Sequence, residues 1–528
     1  MGAHMKMVKS ALLGTAAGLV AVAGAQAADL PVKAKPVQYV KICTLYGDGF
    51  YYIPGTDICL KIGGYVRAEF GYGIPNGQSS LTNGPFQATA TGGNGFGDRV
   101  NGQDWTMRTR AYAWFDSRQQ TEYGTLRTYL QLGVNYDSPQ VTGTTFNANR
   151  AFIQFAGFTI GTAQSFFDFY SSPASAYWGA LASDTGDGGW KVFAYTLQFG
   201  NGLSTTFSIE EPRNFGTVVP TAGVLNTNLG NAGLVLGTIA LDPDRAKERF
   251  PDIVQNWRID QAWGSAQIMG AVHDVSAGYY ANTAAALAIG PCAGATAGFL
   301  GVANGTINGS EVCGHPADRL GWAAGIGSRF NLYQGDYFQW QFTYANGATR
   351  YVNHTQGGAI SPTQFNGDNL GWGFISDGVF SVATGDVQLT TAWGINAAYD
   401  HLWLPNFRTS IYTSYTRYQY NNAATLAICN AQTTPAAGAV SFTPLQVAQG
   451  QCNQDFSWWQ VGSRTQYNFT PWFYVGFDVK YERLDTASAG TQVLWTNLGG
   501  TAKPTALYTV QNQDNYAVRV RVHRDIVP

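Results

Sequence analysis

From residue 60 to the end, the chain repeats one pattern: apolar side chains alternate with polar or small ones, and a turn or loop closes each run. A period of two marks an extended strand whose faces meet different surroundings. Sixteen such runs are read at 60–73, 103–118, 122–136, 149–157, 158–166, 189–200, 202–211, 253–263, 264–276, 319–332, 336–346, 390–401, 405–420, 456–468, 471–484 and 514–527. Short connections alternate with long ones throughout. Eight long loops on one side and short turns on the other is the build of a membrane barrel. After the first residues no apolar run is long enough to span a bilayer as a helix. Strands that cross hydrocarbon must close on themselves, because an open edge would leave backbone groups unpaired. The expected fold is therefore all-β: a transmembrane antiparallel β-barrel of 16 strands.

Parity assigns the two faces. In 103–118, Trp105, Met107, Ala111, Ala113 and Phe115 oppose Thr106, Arg108, Arg110 and Tyr112. In 122–136, Leu126, Leu130, Leu132 and Val134 oppose Arg127, Tyr129, Gln131 and Asn135. In 471–484, Phe473, Val475, Phe477, Val479 and Tyr481 oppose Asp478, Lys480 and Glu482; in 514–527, Tyr516, Val518, Val520 and Val522 oppose Arg519, Arg521 and His523. A charge facing mid-bilayer lipid costs about 2–4 kcal/mol, so the charged faces belong to the lumen. A charged lumen holds water, and a water-filled barrel is a channel. Trp190, Trp322, Trp393, Trp458, Trp459, Trp472 and Tyr516 near strand ends are expected to form interfacial girdles.

Closure sets the last strand beside the first. Arg519 and Arg521 then neighbour Arg67, and Arg108, Arg110 and Arg127 continue a basic luminal wall over the next two strands. The third long loop, about 166–189, carries Asp168, Phe169, Asp184 and Asp187 with several more aromatic rings and no Lys or Arg. Rings in that number are seldom left in water. The loop is expected to fold inward, bury its rings on the barrel wall and turn its acids toward the arginines, a constriction whose opposed charges tune ion selectivity. The competing reading makes these charges structural ties of the barrel.

Composition agrees. Charged residues are only 12% and aromatics 14% of 528 residues, against roughly 25% charged in an ordinary soluble domain. The net charge of −2 suggests no nucleic-acid partner. Residues 1–5 (MGAHM) read as a cloning scar. Residues 6–27 read as a signal peptide: Lys6 and Lys9, an apolar stretch over 11–25, and the small-x-small site Ala25-Gln26-Ala27. Residues 28–59 form an N-terminal segment with Cys43 and Cys59, and 60–528 the barrel. Six cysteines fall as three near pairs, Cys43/Cys59, Cys292/Cys313 and Cys429/Cys452. They suit oxidised loop staples in an exported protein; many connectivities are open, and nearest-neighbour pairing is the expectation. No CxxC or His-x-x-x-His spacing supports a metal, and neither a phosphate-binding glycine loop nor GxSxG is present, so no metal, cofactor or enzyme activity is expected. The mixed-sign run 242–248 reads as solvated surface.

Particular residues carry a family resemblance. Ala28-Asp29-Leu30-Pro31, Tyr39-Val40-Lys41-Ile42-Cys43, the stretch from Gly49 to Arg67, Gln164-Ser165-Phe166-Phe167-Asp168-Phe169, Pro251-Asp252-Ile253-Val254, Asp260-Gln261-Ala262-Trp263-Gly264 and the end from Tyr516 to Asp525 resemble the alphaproteobacterial porin family of outer-membrane proteins. The resemblance spans the mature chain, with loops diverging. It implies a homotrimer in the bacterial outer membrane, in contact with outer-membrane lipids including lipopolysaccharide, an inward-folded third loop, and passive diffusion of small hydrophilic solutes and ions. A substrate-selective, sugar-type channel is the alternative; a lipase and a loop-borne adhesin or receptor are more distant ones. One departure is the terminus: the chain ends Ile526-Val527-Pro528 where many such barrels end in an aromatic residue.

Overall fold

The computed structural model describes residues 41–73, 105–138, 144–170, 174–178, 181–183, 188–213, 224–227, 249–278, 315–353, 363–366, 368–381, 384–433, 452–495 and 506–527. The scar, the signal peptide, Cys292, Cys313, Asp184, Asp187 and the run 242–248 lie outside them.

Sixteen strands close into an antiparallel barrel: β1 (Cys59–Tyr72), β2 (Trp105–Thr121), β3 (Gly124–Ser138), β4 (Thr144–Phe155), β5 (Phe158–Ala163), β6 (Trp190–Gly200), β7 (Leu203–Glu210), β8 (Asp252–Gln261), β9 (Gly264–Asp274), β10 (Leu320–Asn331), β11 (Tyr337–Asn346), β12 (Thr391–Leu404), β13 (Phe407–Gln419), β14 (Phe456–Thr470), β15 (Phe473–Asp485) and β16 (Gln513–Val527). Each of the sixteen predicted runs coincides with one of them. Closure is made by β1 on β16, in the register Arg67↔His523 and Glu69↔Arg521. Two-residue turns such as Ala156-Gly157 and Asn201-Gly202 take positive φ at both positions, the hairpin geometry that follows the twist of the flanking strands. The alternation of turns and loops holds, except that the second loop is short, running from Ser138 to Thr144.

The burial pattern inverts that of a water-soluble protein. On β15, Phe477 and Val479 are 47% and 38% exposed, while Asp478, Lys480 and Glu482 are 0–2% exposed. An apolar exterior around a charged interior is stable only where hydrocarbon surrounds it. Among the described residues no helix is long and apolar enough to cross a membrane; the strands do the crossing.

Of the girdle residues, Trp322, Trp472 and Tyr516 are exposed, as are Trp257, Trp263 and Trp403. Trp393 and Trp459 are half-buried. Trp190 and Trp458 correct the expectation: both are buried inside the wall, at 7% and 1% exposure. Their parity explains it, since Trp190 shares a face with Val192 and Ala194, and Trp458 with Gln460 and Arg464.

The N-terminal segment is tied back by the Cys43–Cys59 disulfide and pairs Tyr51↔Leu60 on the start of β1. On the long-loop side, Gln492–Trp495 and Ala506–Val510 join Thr363–Asn366 and Asn369–Trp372 in a small sheet. Helix α1 (Asn422–Thr433) is stapled by Cys429–Cys452. Phe374, Ile375, Val379 and Tyr508 from this layer share one apolar cluster with Trp458 of β14 and with Phe167 and Ala182 of the third loop.

Candidate functional site: the lumen and its inward loop

The third loop leaves β5 and runs along the inside of the barrel. At its root, the Phe166 N–H donates to Glu210 Oε1 at 2.9 Å and Asn256 Nδ2 donates to the Phe166 carbonyl at 2.6 Å. Gln341 Oε1 on β11 then accepts from both Phe169 N (3.1 Å) and Tyr170 N (2.9 Å). Farther along, Arg464 Nη1 donates to the Ala174 carbonyl at 3.0 Å. At the tip, Tyr177 N donates to Asp478 Oδ2 (2.6 Å) and Tyr177 Oη to Gln466 Oε1 (3.0 Å). Trp178 Nε1 donates to Tyr412 Oη at 2.6 Å. On the return, Ala182 N and Ser183 N donate to Gln460 Oε1 (2.9 Å) and Ser414 Oγ (2.6 Å). The backbone of the loop is thus satisfied by luminal side chains in place of water, as buried peptide groups require.

Glycines on the wall make room for the loop. A Cβ on Gly476 would lie 1.8 Å from Tyr177 Oη, one on Gly327 2.7 Å from the Phe169 ring, and one on Gly394 2.3 Å from Ser183 Oγ. On the wall itself, Tyr112 lies flat over Gly133 and Trp114 over Gly63.

The basic wall divides in two. Arg519 and Arg521 are buried; both donate to the Tyr177 carbonyl, at 2.7 and 2.9 Å. Glu69 compensates them, at 2.5 Å from Arg521 Nη2 and 3.9 Å from Arg519 Nη1. Arg108 is buried as well. Arg519 and Arg521 are ties beneath the loop tip, and Arg108 is directly opposite Glu69 across β1 and β2. Arg67, Arg110 and Arg127 are half-buried on the luminal faces of β1–β3. Arg127 shares Asp116 with Arg118, at 2.9 and 2.8 Å.

Asp168 is placed differently from the expectation. Its carboxylate does not face the arginines of β1–β3; it is buried 2.8 Å from Arg213, with side chains 1% and 0% exposed. Arg213 lies in the loop after β7, and sequence pattern gave no signal for it. Glu69 was readable, since it shares the parity of Arg67. Phe169 lies half-buried against the wall, with its ring 5.4 Å from the Arg258 guanidinium. Among the described residues no group of His, Cys, Asp and Glu is arranged to hold a metal.

Comparison with known proteins agrees with the barrel fold. The model of the porin subfamily matches residues 29–518. Porin Omp2a of Brucella ovis is 34% identical over 231 residues, 39% of this chain and 59% of that protein. Porin Omp2b of Brucella melitensis is 34% identical over 219 residues, 39% of this chain and 54% of that protein. The matched region thus spans somewhat more than half the length of these curated relatives. The outer membrane channel DcaP of Acinetobacter baumannii superposes with a TM-score of 0.54 at 12% identity, over 90% of this chain and 99% of that one.

Proposed function

The chain belongs to the porin subfamily and sits in the bacterial outer membrane, and from that premise we propose that it forms a water-filled channel for passive diffusion of small hydrophilic solutes and ions. The observation that carries the reading is the inverted barrel: charged, hydrogen-bonded side chains inside, apolar side chains outside. A polar lumen lowers the barrier to hydrated solutes, and fixed charge along it biases which ions pass. The third loop, Asp168 and Phe169 included, is the constriction, and it acts as a spacer seated on β11–β16. The exposed part of the selectivity surface is the wall of β1–β3, with Arg67 and Arg110 as its uncompensated charges. Asp184 and Asp187 belong to the same loop. The protein acts as a channel rather than an enzyme, and it assembles as a homotrimer within outer-membrane lipids including lipopolysaccharide.

Purified protein in planar lipid bilayers is expected to open in stable steps grouped in threes. Folded protein that conducts no ions overturns the reading. Under a salt gradient the reversal potential of the wild type should lie on the anion side. Replacing Arg67 and Arg110 by Gln should move it toward cations, whereas replacing the buried, compensated Arg519 should disturb the loop more than the selectivity. An unchanged reversal potential in the Arg67/Arg110 variant removes those two from the selecting wall.

A further inference from the structure

Most luminal guanidinium groups already have a carboxylate. Arg118 and Arg127 share Asp116, Arg519 and Arg521 share Glu69, and Arg408 and Arg464 share Asp400 at 2.7 Å each. Arg67 and Arg110 have no carboxylate partner among the described residues. They are directly opposite each other across β1 and β2, on the luminal face and half-buried. Arg67 Nε reaches His523 Nδ1 at 3.4 Å, and Arg110 Nε donates to Asn135 Oδ1 at 2.6 Å. Neither partner is an acid. His523 Nε2 is itself held by Asp525 at 3.0 Å, and Glu69, two residues from Arg67, is taken by Arg521. The terminal Nη nitrogens of both arginines have no partner among the described residues.

Like charges set directly opposite on a strand pair destabilise it, so an uncompensated pair calls for an explanation beyond fold. The setting is also rigid. Arg67 lies 4.8 Å from the ring centre of Tyr65, and Arg110 5.2 Å from that of Tyr112. Tyr65 and Tyr112 stack on each other at 5.3 Å with an interplanar angle of 7°, and Tyr112 is backed by Gly133. A guanidinium held over a ring keeps its N–H edge free, and that planar fork matches the oxygens of carboxylate and phosphate. Two such forks carry a double positive charge. A dianion neutralises both; a monoanion leaves one.

We propose that Arg67 and Arg110 form a binding subsite on the channel wall for small dianionic oxyanions of the phosphate type, free phosphate or a phosphate monoester. The inference rests on the channel reading for its role in transport, but binding itself is measurable without conduction. Calorimetric titration of folded, detergent-solubilised protein with inorganic phosphate at pH 8 should give saturable heat, and Arg67→Gln/Arg110→Gln should weaken it by about tenfold or more, as expected for loss of charge-assisted forks. In bilayers at fixed ionic strength, phosphate should reduce wild-type current saturably, and acetate should need about tenfold higher concentration, one charge fewer being engaged. Glucose 6-phosphate tests the ester: block by both phosphates assigns the site to the shared group, and block by inorganic phosphate alone assigns it to the free ion. Arg67→Lys/Arg110→Lys keeps the charge and the fold but loses the fork, and should bind with intermediate affinity. Arg258→Gln removes a guanidinium already held by Asp260 at 2.8 Å and should leave phosphate block intact. Equal block by phosphate and acetate, wild-type binding in the Gln variant, or wild-type binding in the Lys variant overturns the site. Absence of conduction with phosphate heat retained would instead sink the channel reading alone.

Discussion

Gly476→Val should raise single-channel conductance by about twofold or more, because it evicts the tip of the constricting loop from its seat and pore width controls flux. Gly476 is on the luminal face of β15, and a Cβ there would sit 1.8 Å from Tyr177 Oη and 2.5 Å from Cζ. A terminal hydroxyl can often swing aside, but Tyr177 is fixed at three points. Its N–H is bound to Asp478, its hydroxyl to Gln466, and its carbonyl to Arg519 and Arg521. Moving the tip therefore strips partners from three buried side chains, Asp478, Arg519 and Arg521, and from the half-buried Gln466, each of which then takes up water. Val favours extended backbone, so the strand itself should persist. Conductance and the size limit for neutral sugars in liposome swelling check the result. Gly270→Val is the matched control: its Cβ would have no atom nearer than 3.7 Å, and conductance should stay at the wild-type value. If Gly476→Val conducts like the wild type, the loop is not seated through Tyr177 in the membrane.

The barrel was legible in the sequence because the membrane imposes a rule on every strand. Alternation fixed which side of the wall each residue takes, and closure followed from the need to pair all backbone groups. The same parity also placed Trp190 and Trp458 inside; proximity to a strand end was a poorer guide than period. What parity does not contain is the contents of the lumen opposite each strand. Arg519 and Arg521 share a face with Arg67, yet two lie beneath Tyr177 and one does not, and only the path of the third loop decides this. Asp168 illustrates the same limit. Its partner Arg213 is in a different loop with no periodic context, so nothing local to either residue announces the pair. Cys43–Cys59 and Cys429–Cys452 were readable because near cysteines in exported loops close small rings; Cys292 and Cys313 lie outside the described residues. The glycines Gly63, Gly133 and Gly476 were visible as residues at luminal parity, but their use as seats for flat aromatic rings depends on neighbours across strands or across the lumen.

Arg213→Ala should destabilise the loop root far more than loss of an ordinary surface ion pair. Arg213 and Asp168 are fully enclosed, and removing one member of a buried pair leaves the other charge without compensation, at a cost of about 3–5 kcal/mol. The surroundings are built for the cation: its guanidinium lies 4.3 Å from the ring centre of Tyr351 and 4.9 Å from that of Trp190. The backbone N–H of Arg213 also donates to Asp252 (3.2 Å), which accepts from Tyr351 Oη (2.7 Å) and bonds His273 Nδ1 (2.7 Å). Three loops and two strands thus converge on one buried network. By contrast, Lys191 and Glu211 form a nearby pair with side chains 72% and 39% exposed, and Lys191→Ala should change stability by less than about 1 kcal/mol. The double replacement Asp168→Leu/Arg213→Met removes both charges while keeping volume. It should recover much of the loss, since apolar substitutes for a buried pair are often close to neutral. Urea unfolding midpoints and protease cleavage within the third loop would rank the variants, with Arg213→Ala most labile, the double replacement intermediate and Lys191→Ala like the wild type. An Arg213→Ala protein as resistant as Lys191→Ala would mean that Asp168 finds water once Arg213 is gone, and that the loop root is held by Phe166, Gln341 and the apolar cluster around Phe167 instead.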